Sequence, residues 1–129
     1  MRAALLIVLG LVIGIIGTIP VMNALSQRNP LPKAVMVTMN YHMNQLQNAL
    51  KSQRCEAAPS LDQLQHLQMT AADITAAFPD APQPFLDDAG HLRTALQSAA
   101  LSAPADCPAL AAAIKPVGEA CKTCHHQYR

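Results

Sequence analysis

The sequence has no tryptophan and few aromatic residues of any kind: Phe78, Phe85, Tyr41 and Tyr128 are all there are in 129 residues. A core without aromatic mass has to be built from aliphatic side chains, alanine and methionine, and in so short a chain such a core is thin. Charge is also scarce, at 13% of residues, and nearly balanced, nine Lys and Arg against eight Asp and Glu. A nucleic-acid-binding domain carries a basic face, and none is present. No stretch alternates apolar and polar residues over a strand length, and β-branched residues are sparse beyond the N-terminal apolar run, which argues against a sheet. No acid, base and nucleophile stand together, so the residues give no support to an enzyme.

The first feature that is present is a long uncharged run. Residues 3–22 carry no charge and come directly after the single positive Arg2; as a helix they would span roughly 30 Å, the thickness of a bilayer core. A secretory signal peptide is the competing reading, with Ala24-Leu25-Ser26 as a passable cleavage site, but its apolar region is usually only about 7–15 residues. The longer run favours an anchor that stays attached, and either reading exports the rest of the chain. Gly10 and Gly14 form a G-x-x-x-G spacing through which two anchors could pair in a homodimer. The expected organisation is therefore an N-terminal anchor or signal segment, residues 1–26, and one small domain, residues 27–129. With Arg2 removed, that domain carries eight basic and eight acidic residues.

Four apolar stripes run along the domain at the spacing of amphipathic helices. They are Met36, Met39, Met43, Leu46 and Leu50; Leu64, Leu67, Ala71, Ile74 and Phe78; Phe85, Ala89, Leu92, Leu96 and Ala99; and Leu110, Ile114, Val117, Cys121, Cys124 and Tyr128. Ser60 with Gln63 three residues on reads as a capping box opening the second helix. Pro59, the prolines between Pro79 and Pro84, and those between Pro104 and Pro108 punctuate the helices. Pro116 is expected to bend the fourth helix without ending it, since the stripe keeps its phase on both sides. The fold expected is all-α, an antiparallel up-down-up-down four-helix bundle preceded by the N-terminal transmembrane or signal helix.

The most specific signal is Cys121-Lys122-Thr123-Cys124-His125, a C-x-x-C-H motif. In the c-type haem reading, two thiols add across the vinyl groups of the macrocycle as thioethers, and the adjacent imidazole binds the iron. On a helix Cys121 and Cys124 are one turn apart and His125 is at i+4, so all three reach one flat ring. A zinc half-site lacks a second C-x-x-C, and a thioredoxin-like dithiol would open a helix after a strand instead of closing one. One covalent haem c is thus expected, and it would supply the apolar mass that the missing aromatics do not.

Four helices with C-x-x-C-H on the last resemble the class II c-type cytochromes, the cytochrome c′ family. The closing run Val117-Gly118, Cys121-Lys122-Thr123-Cys124-His125, Tyr128-Arg129 is similar to the family's V-G-x-x-C-K-x-C-H-x-x-Y-R, and Met36, Met39, His42 and Met43 fall where the family has its distal residues and a following histidine. The resemblance implies Cys121 and Cys124 as haem attachment points, His125 as proximal ligand and Arg129 over the proximal imidazole. It implies one of two distal arrangements: Met36 sulfur on the iron, with Met39 and Met43 as fallbacks, or a bulky side chain over an open iron face. A Met/His pair favours electron transfer, an open face small gases such as NO or CO; the first is preferred. Lys33 stands where the family has an arginine near a haem propionate, and Leu86 or Leu92 where it commonly has an aromatic.

The expected function is single-electron transfer between redox partner proteins in the periplasm, with the inner membrane holding residues 3–22; the alternative is a five-coordinate protein binding NO or CO. His66, His91 and His126 read as solvent-facing, and His42 as bordering the haem edge or playing no part. The remaining cysteines, Cys55 and Cys107, close the first helix and open the fourth. In an up-down bundle these ends share a pole, so a disulfide is expected, as an exported location allows; two unpaired thiols are the alternative.

Overall fold

In the computed structural model the described residues are 7–14 and 29–128. Residues 7–14 are helical and exposed. Most of the run expected to form an anchor lies outside the described residues, and among those described no helix is long and apolar enough to cross a membrane. The chain divides into two units, residues 1–30 and 31–129. The second unit is entirely helical over its described residues, in five segments: α1 (Leu31–Lys51), α2 (Ala57–Ala72), α3 (Ile74–Ala77), α4 (Gln83–Leu101) and α5 (Cys107–Tyr128).

Prolines set most of the starts. Pro32, Pro59, Pro84 and Pro108 each fall in the first turn of a helix, where the missing N–H would have had no partner. Pro59 is therefore inside α2 and not a breaker before it. The expected capping box does not form: α2 starts at Ala57 after Glu56, and Ser60 lies within the helix, 3% exposed, its N–H bonded to the Glu56 carbonyl at 3.1 Å. Asp106 does cap its helix, its Oδ1 accepting from the Ala109 N–H at 2.8 Å. α1 ends in a Schellman arrangement, with Arg54 N–H on Ala49 O at 2.9 Å and Gln53 N–H on Leu50 O at 3.2 Å. Gln53 takes the left-handed φ of 54° that this motif requires, where glycine is usual. This turn delivers Cys55 to the end of the helix.

The second expected helix is divided. The chain breaks at Asp73, whose N–H bonds back to Thr70 O at 3.1 Å, and resumes for one turn as α3. The apolar stripe crosses the break in phase, so Ile74 is buried like Ala71. α5 continues through Pro116 as one helix.

α1 packs on α2 and α5, α2 on α4, and α4 on α5, so each long helix contacts two others. The stripes read from the sequence form the core, with Leu46, Leu64, Leu67, Leu96, Leu110 and Val117 closed to solvent. In the first stripe Met36, Met43 and Leu50 are only partly buried, and Val35 is buried beside Met39 and Leu46. Tyr128 is 40% exposed, yet it meets Phe85 edge-on at 5.2 Å, and Phe85 meets Phe78 at 5.0 Å. A disulfide joins Cys55 to Cys107, Cα atoms 5.0 Å apart, tying the end of α1 to the start of α5 across 52 positions.

Candidate functional site

The opposite ends of those two helices, the start of α1 and the end of α5, frame an apolar cavity of about 180 Å³. α1 supplies Met36, Met39, Asn40 and Met43; α2 and α3 supply Leu67 and Ile74; α4 supplies Phe85, Asp88, Ala89 and Leu92; α5 supplies Cys121, Cys124 and His125. A second opening of about 700 Å³ shares Met36, Asn40, Phe85, Cys124 and His125 with it and adds Pro32, Lys33, Val37, Phe78 and Tyr128. That volume lies within the roughly 300–1,000 Å³ of small-molecule and cofactor sites.

Sequence spacing puts both cysteines and the histidine on one helical face, and the fold turns that face onto the cavity. Cys121 and Cys124 are free thiols and half-buried. Burial pushes the Cys121 thiol above its ordinary pKa, and the neighbouring Cys124 adds to the rise. Burial also raises Cys124, with the Asp88 carboxylate as a second cause. Raised thiols keep little thiolate at neutral pH, so neither is an activated nucleophile. His125 is exposed at the rim. Among the described residues, no group of three or more His, Cys, Asp and Glu gathers as a metal-ion site.

Met36, Met39 and Met43 all line the cavity, one helical turn after another along α1. Met36 alone of the three also lines the wider opening with His125. Lys33 stands at that wider opening, where the resemblance expects an arginine. Arg129 lies outside the described residues.

Two residues of the site are not singled out by the sequence. Phe85 belongs to the third apolar stripe and reads there as core; it lines both openings and is the aromatic side chain common to them. Leu92 lines the narrower cavity, and Leu86 lines neither opening. Asp88 is three residues on from Phe85, on the same face. Its Oδ2 is buried without a hydrogen-bond partner, and its Oδ1 is 4.0 Å from His91 Nδ1. A buried acceptor without a donor is costly, and the cavity's own N–H donors are the side chains of Asn40 and His125. The sequence marks Phe85, Ala89 and Leu92 of this wall only as core positions, and Asp88 only by its i, i+3 spacing from Phe85.

The donor set fits a c-type haem. Two thiols one turn apart and the adjacent imidazole meet an otherwise largely apolar cavity, and thioethers line it from α1. His42 and His66 line neither opening. Comparison with known proteins finds no matching family model, curated protein or solved structure.

Proposed function

We propose that this chain is a class II c-type cytochrome, an antiparallel up-down-up-down bundle that carries single electrons. The observation that carries the reading is the gathering of Cys121, Cys124, His125 and Met36 around one apolar cavity. The contacts of α1 with α2 and α5, and the disulfide between the end of α1 and the start of α5, support the bundle topology.

In this reading Cys121 and Cys124 would hold the haem as thioethers, His125 would bind the iron from α5, and Met36 would offer its sulfur from α1. Bound haem supplies a one-electron ferric/ferrous couple. The chain's own part is positional. The Leu67, Ile74, Phe85 and Leu92 walls exclude water, which limits the solvent rearrangement that accompanies a change of charge. A thioether and an imidazole together on the iron would favour the reduced state and raise the potential. Asp88 places a negative group on the α4 wall and opposes that rise. Lys33 at the wider opening supplies a cation for a propionate, as a point charge without the fork of an arginine.

The chain is proposed to act in the periplasm, anchored in the inner membrane by residues 3–22, with redox proteins as partners. The Cys55–Cys107 bridge supports an oxidising compartment. Fractionation combined with N-terminal sequencing tests the anchor, and a soluble product beginning near Gln27 refutes it. Absorption spectra of both redox states, with and without CO, test the function. Low-spin spectra unchanged by CO are expected; high-spin iron that takes up CO at once replaces electron transfer with gas binding.

A further inference from the structure

Sulfur is concentrated at the cavity between α1 and α5. Met36, Met39 and Met43 line it from α1 and Cys121 and Cys124 from α5, although the chain has only six methionines and four cysteines in all. The other two cysteines are bridged at the opposite pole and offer no thiol. Cys121 and Cys124 are the free ones.

On α5 the two thiols are one turn apart, a spacing that puts Cβ atoms roughly 5–6 Å from each other. They are close enough for Cys124 to raise the Cys121 thiol. Each methionine has three rotatable bonds, so a thioether can cross from α1 without movement of the backbone. Cys124 and Met36 also line the wider opening, which gives an ion a way in. Thiolate and thioether together are soft ligands and select a soft ion, Cu(I) above all. Zinc takes four nitrogen, oxygen or thiolate ligands and leaves thioethers aside. Among the described residues, His125 and Asp88 do not gather with the thiols into a group of three such ligands. Cu(I) is satisfied by two or three sulfurs.

We propose that the chain, while it carries no haem, binds one Cu(I) ion through the thiolates of Cys121 and Cys124 and a thioether of α1. Each thiol gives its proton to solvent as the ion binds, and no electron moves. An ion held there links α1 to α5 and stabilises the folded chain by mass action. The site consists of the chain's own sulfurs, so the inference stands apart from the haem reading. If haem is attached, the two occupants exclude each other: thioether formation consumes both thiols, and a bound ion withholds them. Copper would then block haem attachment.

The test uses the full-length chain expressed without haem-maturation machinery, its Cys55–Cys107 bridge left oxidised. Cu(I) is titrated in anaerobically against bicinchoninate, whose colour reports the ion it loses, and X-ray absorption counts the ligands. One Cu(I) per chain is expected, with two or three sulfur neighbours. Cys121→Ser and Cys124→Ser should each weaken binding by roughly a hundredfold or more, and Met36→Leu/Met39→Leu/Met43→Leu, which conserves volume, by roughly tenfold. Met69→Leu, away from the cavity, should change nothing. Binding indifferent to either cysteine variant, or unchanged in the triple methionine variant, overturns the proposal. Should a variant not fold, X-ray absorption of the unmodified chain decides alone: fewer than two sulfur neighbours overturns it. A chain that takes up no haem under maturation would overturn the haem reading and leave the copper result standing.

Discussion

Replacing both Cys55 and Cys107 by alanine tests how much of the stability is held at the pole opposite the cavity. The bridge closes a loop of 52 positions running from the end of α1 through α2, α3 and α4 to the start of α5. In the chain-entropy model, a loop of that length removes enough freedom from the unfolded chain to stabilise the fold by about 4 kcal/mol. That is a large share of the roughly 5–15 kcal/mol that holds a small domain together. With a urea m-value of about 2 kcal/mol/M, the midpoint should fall by about 2 M. The melting temperature should fall by about 20 °C at roughly 5 °C per kcal/mol for a domain this size. A Met36–iron–His125 link would join α1 to α5 at the other pole and already restrict the unfolded chain, so the loss should be smaller with haem than without it. Urea unfolding of both forms, monitored by circular dichroism, measures this. Mass spectrometry after alkylation of the unreduced, denatured parent shows whether the bridge is there. A midpoint shift under about 0.5 M in the haem-free form, with the bridge intact in the parent, would refute the loop-entropy reasoning. Two alkyl groups, on Cys55 and Cys107, would show that there is no bridge.

Met36→Ala should convert low-spin iron to high spin and admit CO, seen by absorption and EPR; an unchanged low-spin spectrum would move the sixth ligand to Met39 or Met43. Leu96 is fully buried on α4, and Leu96→Ala should cost about 2–5 kcal/mol in urea unfolding. Met69, 60% exposed on α2, sets the contrast: Met69→Ala should stay within about 0.5 kcal/mol of the parent. In the haem-free chain Cys121 and Cys124 should react with iodoacetamide more slowly at pH 8 than a free cysteine. A raised thiol pKa leaves less thiolate at that pH, and the deficit should close as pH rises through the raised value; rates equal to free cysteine would remove that burial effect.

The helical stripes are legible because each residue of a long amphipathic helix repeats the same statement about which face is buried. Leu64, Leu67 and Ala71, or Phe85, Ala89, Leu92 and Leu96, need no tertiary information. Helix starts are less legible. A proline is a breaker inside a helix and harmless in its first turn, and Pro59 looks the same in sequence either way. Ser60 and Gln63 have the spacing of a capping box, but Gln63 finds His42 on the neighbouring helix, a competitor that local spacing cannot reveal. The cysteine pairing comes from which helix ends share a pole. Cys121, Cys124 and His125 are legible from their spacing alone. Phe85 and Asp88 are not, because a side chain facing a cavity and one facing a packed core occupy the same phase of the stripe. That the rings of His42 and His66 stack, with centroids 4.8 Å apart, depends on how α1 and α2 register, which no single helix encodes.

The central claim, covalent haem on Cys121 and Cys124, is tested most directly by expressing the chain with haem-maturation machinery and extracting it with acid acetone. The account predicts that the haem stays with the precipitated protein, that the intact mass rises by one haem, and that Cys121→Ala/Cys124→Ala abolishes the gain. Haem released freely into the solvent, with the protein at its unmodified mass, would contradict it.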